Sequence, residues 1–274
     1  MMKNRATPAI VAALLTVAAA TSPALAQFEG RSANDVVQVS LVEGWRMENG
    51  HHMAAIRISL APGWKTYWRA PGEGGIPPRL RLTDTDDISG MYIHWPQPEV
   101  FFANGMRSIG YRDEVILPIE FAVDDAGPVE LHGRLDIGVC HDVCMPVALD
   151  LDGLLPMTTT SDPAVVAALA DRPRTAAEVG AGHATCAVEP ISDGLRVTVT
   201  AVVPSVGRDE TLVLEHAGPG MWVSEAATTR SGNTVTGIAD IVPPDSGPFA
   251  LNRSDLRITV IGTQMAVELD GCTG

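Results

Sequence analysis

Val37-Gln38-Val39-Ser40-Leu41 and Ala55-Ile56-Arg57-Ile58-Ser59-Leu60 alternate apolar and polar side chains, and Glu48-Asn49-Gly50 lies between them. A period of two sets every second side chain on one face of a strand, and the polar Asn-Gly segment reverses the chain, so residues 35–60 read as a β-hairpin. Strand-like stretches recur at 91–95, 115–123, 129–137 and 145–151, each bounded by Gly, Pro or Asp. Several short strands at such spacing predict a β-sandwich. Between them, Gly63-Trp64-Lys65-Thr66-Tyr67-Trp68-Arg69-Ala70-Pro71-Gly72, with Gly74, Gly75, Pro77 and Pro78 behind it, reads as turns.

From 157 to 183 the composition shifts to Ala, Thr, Asp and Arg. There Asp162, as N-cap, and Pro163, at the first helical position, predict a short helix over Ala164-Val165-Val166-Ala167-Ala168-Leu169-Ala170. Alternation then returns in Leu195-Arg196-Val197-Thr198-Val199-Thr200, Thr211-Leu212-Val213-Leu214 and Arg257-Ile258-Thr259-Val260-Ile261. The expectation is an all-β chain of two β-sandwich domains, 27–156 and 184–274, joined by a short helical linker at 157–183. The second domain is long enough for a modest core of its own.

At the N-terminus Lys3 and Arg5 precede an apolar run from Ala9 to Ala20, and Ala24-Leu25-Ala26 ends a stretch of small residues. This is the pattern of a cleavable secretory signal over 1–26, with the mature chain starting near Gln27. Later apolar runs are all interrupted by Gly, Pro or a charge, so no membrane span is expected after cleavage. The net charge of −14 becomes −16 once Lys3 and Arg5 are removed, which argues against a nucleic-acid partner. No Ser-His-Asp spacing, phosphate loop or paired-carboxylate pattern points to hydrolase or nucleotide chemistry.

The four cysteines of this exported chain divide into two kinds. In Gly138-Val139-Cys140-His141-Asp142-Val143-Cys144-Met145-Pro146 the pair Cys140 and Cys144 sits between two predicted strands. A disulfide there closes so small a loop that it removes little entropy from the unfolded chain, and stability is a weak reason for it. A short loop open to a partner thiolate favours exchange instead. His141, when protonated, would lower a neighbouring thiol pKa, and Asp142 would oppose this. An inert hairpin staple is one alternative. Cu(I) handling by Cys140, His141, Cys144 and Met145 is another, whereas the ligand spacing that zinc favours is absent. Cys186 and Cys272 bracket almost the whole second domain, so a bond between them reads as a structural disulfide contributing ~4 kcal/mol.

The segment Gly63-Trp64-Lys65-Thr66-Tyr67-Trp68-Arg69, together with Pro71-Gly72, Pro77-Pro78, Trp95-Pro96, Phe101-Phe102, Gly110-Tyr111, Leu117-Pro118 and Cys140-x-x-x-Cys144-x-Pro146, resembles the periplasmic N-terminal domain of the thiol:disulfide interchange protein DsbD and the related ScsB-like proteins. The resemblance covers about residues 36–155 and is less specific beyond them. It implies an immunoglobulin-like fold and a periplasmic location, and neither a cofactor nor a metal is expected outside the Cu(I) alternative. It further implies that Cys140 and Cys144 pass electrons between a membrane-embedded thiol reductase and thioredoxin-like periplasmic partners, as an oxidoreductase or electron-relay component. Phe101 and Phe102 fall where the family's cap loop shields the cysteines. Tyr111 is a candidate for tuning the pair or for packing, and Trp64, Tyr67 and Trp68 read as packing aromatics. Arg69 reads as the partner of an acid.

The cysteines stand closer in sequence than in the best-known DsbD domain. With neither the membrane segment nor the terminal thioredoxin-like domain, electrons are expected to come from a separate protein. Cys-x-x-x-Cys-x-Pro also resembles the metal motif of Sco-type copper chaperones, but those place it before a helix, and Met145-Pro146-Val147-Ala148-Leu149-Asp150-Leu151 reads as a strand. A non-catalytic module docking an envelope complex is the remaining alternative.

Overall fold

The hairpin read from residues 35–60 forms as β1 (Val37–Arg46) and β2 (His52–Leu60), behind a single helical turn, α1 (Ala33–Val36). The strands are antiparallel, with Val37 opposite Leu60 and Leu41 opposite Ile56. These coordinates are a computed structural model that describes residues 33–83, 86–103, 105–124, 127–247 and 249–274. The signal sequence expected at 1–26 lies outside them.

Eight further strands complete the first sandwich: β3 (Lys65–Tyr67), β4 (Arg79–Leu82), β5 (Ile88–Ile93), β6 (Glu99–Ala103), β7 (Met106–Arg112), β8 (Glu114–Val123), β9 (Val129–Cys140) and β10 (Cys144–Leu155). One sheet has the order β1-β2-β8-β5 and the other β10-β9-β3-β7-β6, with β4 also on β9. Ile56, Trp68, Ile119, Phe121, Leu135 and Ile137 pack between them. The segment expected to be mostly turns thus supplies a central strand, β3, which pairs with both β7 and β9.

The predicted helix forms as α2 (Pro163–Ala170), where Asp162 Oδ1 accepts from the backbone N–H groups of Ala164 (2.8 Å) and Val165 (3.1 Å). This satisfies two donors that the first turn cannot pair internally. α2 also covers the outer face of the first sheet, where Val165 is buried against Met53 and Ala55. That cover explains why β2 is buried on both faces along most of its length.

After β11 (Arg174–Thr175) come β12 (Thr185–Pro190), β13 (Leu195–Val202), β14 (Thr211–His216), β15 (Trp222–Val223), β16 (Ala227–Ser231), β17 (Thr234–Val242), β18 (Leu256–Ile261) and β19 (Ala266–Asp270). They form sheets β11-β19-β18-β14 and β12-β13-β17-β15, with β16 also on β17. Their core holds Val197, Val199, Leu212, Ile241, Ile258 and Val260. Residues of the expected linker therefore join the second sandwich, since β11 lies parallel to β19.

Cys186 on β12 is bonded to Cys272 in the segment after β19, with Cα atoms 5.8 Å apart. The bond ties β12 to the segment after β19, whose Thr273 also bridges Thr185, and closes a separation of 86 residues. Replacing both cysteines by serine is expected to lower unfolding free energy by about 2–5 kcal/mol. Chemical denaturation measures this, and an unchanged midpoint would contradict a stabilising role.

The two sandwiches meet through charge as well as apolar contact. Arg69, just past β3, lies 2.9 Å from Glu215 of β14 and 2.6 Å from Glu268 of β19. Burial opposes the charge on Arg69, but the two carboxylates outweigh it and hold its pKa above the ordinary value. Ile261 and Ala266 of the second sandwich pack into the core cluster of the first.

Candidate functional site

Cys140 ends β9 and Cys144 begins β10, and the two are direct cross-strand partners. A three-residue turn returns the chain, and the sulfurs are bonded across the end of the hairpin with Cα atoms 4.1 Å apart. The pair is asymmetric, because Cys140 is 4% exposed while Cys144 lies open to solvent.

Strand alternation explains that asymmetry. Along β9 the outward residues Glu130 and Arg134 are exposed, but Gly138 and Cys140, on the same face, are buried. The outer face is covered at this end by Tyr67 and the loop 71–78. Lys65 pairs with Cys140, so Tyr67, two residues on, shares the cysteine's face. Its ring lies over Gly138, where a Cβ would stand 2.9 Å from the ring and 2.7 Å from Ile76 Cβ. Gly75 flanks the ring as closely, and only residues without a side chain fit on either side.

The Tyr67 hydroxyl lies 3.1 Å from Cys144 Sγ and 3.3 Å from the Gly74 carbonyl oxygen. A disulfide sulfur and a carbonyl are both acceptors, so the single phenolic proton is shared between them. Burial raises the Tyr67 pKa, which keeps that proton in place across neutral pH. When the disulfide opens, the same O–H faces a thiolate, and a hydrogen bond to the charged form favours ionisation.

His141 and Asp142 occupy the turn between the cysteines. His141 Nδ1 is 2.9 Å from Asp142 Oδ2, and its ring lies against Trp64 with centroids 5.9 Å apart. Phe101 and Phe102 point to opposite faces of the edge strand β6. Phe101 is 6% exposed and lies under two cations, with Lys65 Nζ 5.2 Å and Arg112 Cζ 4.5 Å from its ring centroid. Burial lowers the Lys65 pKa, and Arg112 adds to the effect. Phe101 thus lies against Lys65, the strand partner of Cys140. Phe102 is 68% exposed.

Tyr111 lies on the other side of the sheet. It pairs with Thr66, whose side chain faces away from Lys65 and Tyr67, so Tyr111 points between the sheets. It is buried there, and its hydroxyl donates to the Pro96 carbonyl at 2.9 Å. Burial drives its pKa well up. The hydroxyl beside the sulfur belongs to Tyr67, for which the sequence favours packing over a direct role.

Among known proteins, residues 34–156 match the family described as thiol:disulfide interchange protein DsbD, N-terminal. The crystal structure of the N-terminal periplasmic domain of ScsB from Proteus mirabilis superposes with a TM-score of 0.66 at 26% identity, over 89% of this chain and 96% of that one. A 130-residue alignment is 25% identical to a tRNA U34 carboxymethyltransferase of Chromohalobacter salexigens, covering 41% of this chain. This chain spans only 39% of that protein, and the described residues are built of sandwiched, almost wholly antiparallel sheets. The ScsB match carries both sandwiches, and the family match carries the cysteine hairpin with the strands that support it. Residues 34–156 thus match the DsbD N-terminal domain of the thiol:disulfide interchange family, and the chain's two-sandwich architecture is similar to that of the ScsB N-terminal periplasmic domain.

Proposed function

We propose that Cys140 and Cys144 relay electrons between a membrane-embedded thiol reductase and thioredoxin-like partners in the periplasm. The observation that carries this reading is the accessibility of Cys144, with a hydroxyl donor at its sulfur. A donor thiolate attacks Cys144 Sγ, a mixed disulfide forms, and Cys140 leaves as the thiolate. The donor's second thiolate then attacks the donor's own sulfur, which closes the donor disulfide and releases Cys144 as the thiolate. Two electrons have moved to this chain. In the onward step the Cys144 thiolate attacks a partner disulfide, and Cys140 displaces the reduced partner as the Cys140–Cys144 bond re-forms.

In this reading the redox unit is residues 27–156, the connection 157–183, whose β11 is added to the second sandwich, and the second sandwich itself 184–274, all following a cleaved signal at 1–26. Phe101 acts from beneath Lys65 as part of the shield around Cys140, and Phe102 offers an apolar contact to an arriving partner. His141 and Asp142 set the charge of the turn, and Tyr67 supplies the proton that stabilises the Cys144 thiolate.

Tyr67→Phe removes the donor without changing the ring. It is expected to raise the Cys144 thiol pKa by about one unit. At neutral pH the thiolate fraction falls about tenfold while intrinsic nucleophilicity rises, so attack on a small disulfide slows by about threefold. Thiolate absorbance across pH and stopped-flow exchange measure the two effects, and an unshifted titration would remove Tyr67 from the mechanism. The function itself is tested with the reduced protein and an oxidised thioredoxin-like protein. Wild type is expected to transfer two electrons and the Cys140→Ala, Cys144→Ala variant none, and full transfer by that variant would refute the assignment.

A further inference from the structure

The loop 71–78 faces two structures at once. On one side it covers Tyr67, with the Gly74 carbonyl on the hydroxyl and Gly75 against the ring. On the other it meets the second sandwich. The Glu73 backbone N–H donates to Glu225 Oε1 at 3.1 Å, and Glu225 Oε2 lies 3.1 Å from Arg107 Nη2 on β7. Gly72 has φ +78°, and a Cβ there would lie 2.9 Å from the same Oε1, so loop and carboxylate approach as closely as glycine allows.

Glu225 is itself held in place. The preceding residue, Ser224, donates its N–H to the Asp240 carbonyl and accepts the Asp240 N–H at Oγ, both at 2.9 Å. Asp240 belongs to β17, the strand that carries β13, β15 and β16. A carboxylate anchored to one sandwich therefore ties down the loop that packs the redox tyrosine of the other.

We propose that Glu225 is a positioning residue for exchange at Cys144, pinning the loop so that the Tyr67 hydroxyl stays on the sulfur. The inference rests on the redox reading given above, and it assigns the second sandwich a part in it. Arg107 and Glu73 flank the carboxylate, Lys65, Arg112, His141 and Asp142 lie around the cysteines, and Asp136, Arg134, Asp150, Arg79 and Arg81 stand further along β9, β10 and β4. None of them is altered by the substitutions that follow.

The test uses the mature chain carrying Cys140→Ser, so that Cys144 is the one thiol outside the Cys186–Cys272 bond. Glu225→Ala is expected to raise the Cys144 pKa by about half a unit, a threefold loss of thiolate at neutral pH. Glu225→Gln keeps an acceptor for Glu73 but turns an amide toward Arg107, and a smaller shift is expected. In a Tyr67→Phe background Glu225→Ala should shift nothing further, because both changes remove the same hydrogen bond. A merely structural role would add to Tyr67→Phe, and such additivity overturns the proposal. So does an unshifted titration in folded Glu225→Ala, or in Glu225→Gln should the alanine variant fail to fold. Exchange of the wild-type protein with a small disulfide is followed separately, so failure of the redox reading shows there and failure of the clamp shows in the titration.

Discussion

Cys140→Ser is expected to hold its partner as a stable mixed disulfide, and Cys144→Ser is expected to hold at least about tenfold less. Cys144 is the exposed residue of the pair, while Cys140, opposite Lys65 on β3, is 4% exposed. In Cys140→Ser the accessible thiolate attacks the partner's disulfide, and the residue that would expel the partner is missing. In Cys144→Ser the remaining thiol is that of Cys140, which is buried and out of an incoming partner's reach. Non-reducing electrophoresis of each variant after incubation with an oxidised thioredoxin-like protein reads the difference. Equal trapping, or stronger trapping through Cys140, would reverse the assigned roles.

Arg69→Met is expected to destabilise the protein by about 3 kcal/mol. The arginine is the shared counter-ion of Glu215 and Glu268, at 14% side-chain exposure. Removing it leaves two carboxylates facing each other in a partly desolvated interface, where each had accepted a charge-assisted hydrogen bond. Most of the loss should return when Glu215→Gln and Glu268→Gln are added, because the repulsion disappears and Arg257, 3.7 Å from Glu268, no longer has two carboxylates to balance. Thermal and denaturant unfolding of the single and triple variants measure this. A single variant as stable as wild type would mean that the ion pairs hold nothing together.

What could be read from the sequence was local. The alternation of β1 and β2 and the Asp162-Pro163 helix start each lie within a short window, and the structure realises them. β3 was hidden because its three residues stand among glycines and prolines, and it is a strand only through pairing with β7 and β9, far away in the chain. The same non-local register hid the role of Tyr67. Knowing that Tyr67 shares a face with Cys140 requires knowing that Lys65 lies opposite Cys140, and no local pattern carries that. It also separates Tyr111 from the cysteines by a full sheet thickness. Arg69 does pair with acids, as its type suggested, but they lie 146 and 199 residues away. The opposite faces of Phe101 and Phe102, by contrast, follow from simple alternation once β6 is recognised.

A thiol count in graded thiol–disulfide buffers tests the central claim most directly. As the buffer becomes more reducing, two thiols should appear together, map to Cys140 and Cys144 by alkylation and mass spectrometry, and disappear again on reoxidation while Cys186–Cys272 stays bonded. If the hairpin pair instead resists reduction until the second pair opens and the fold is lost, Cys140 and Cys144 are a staple and not a relay.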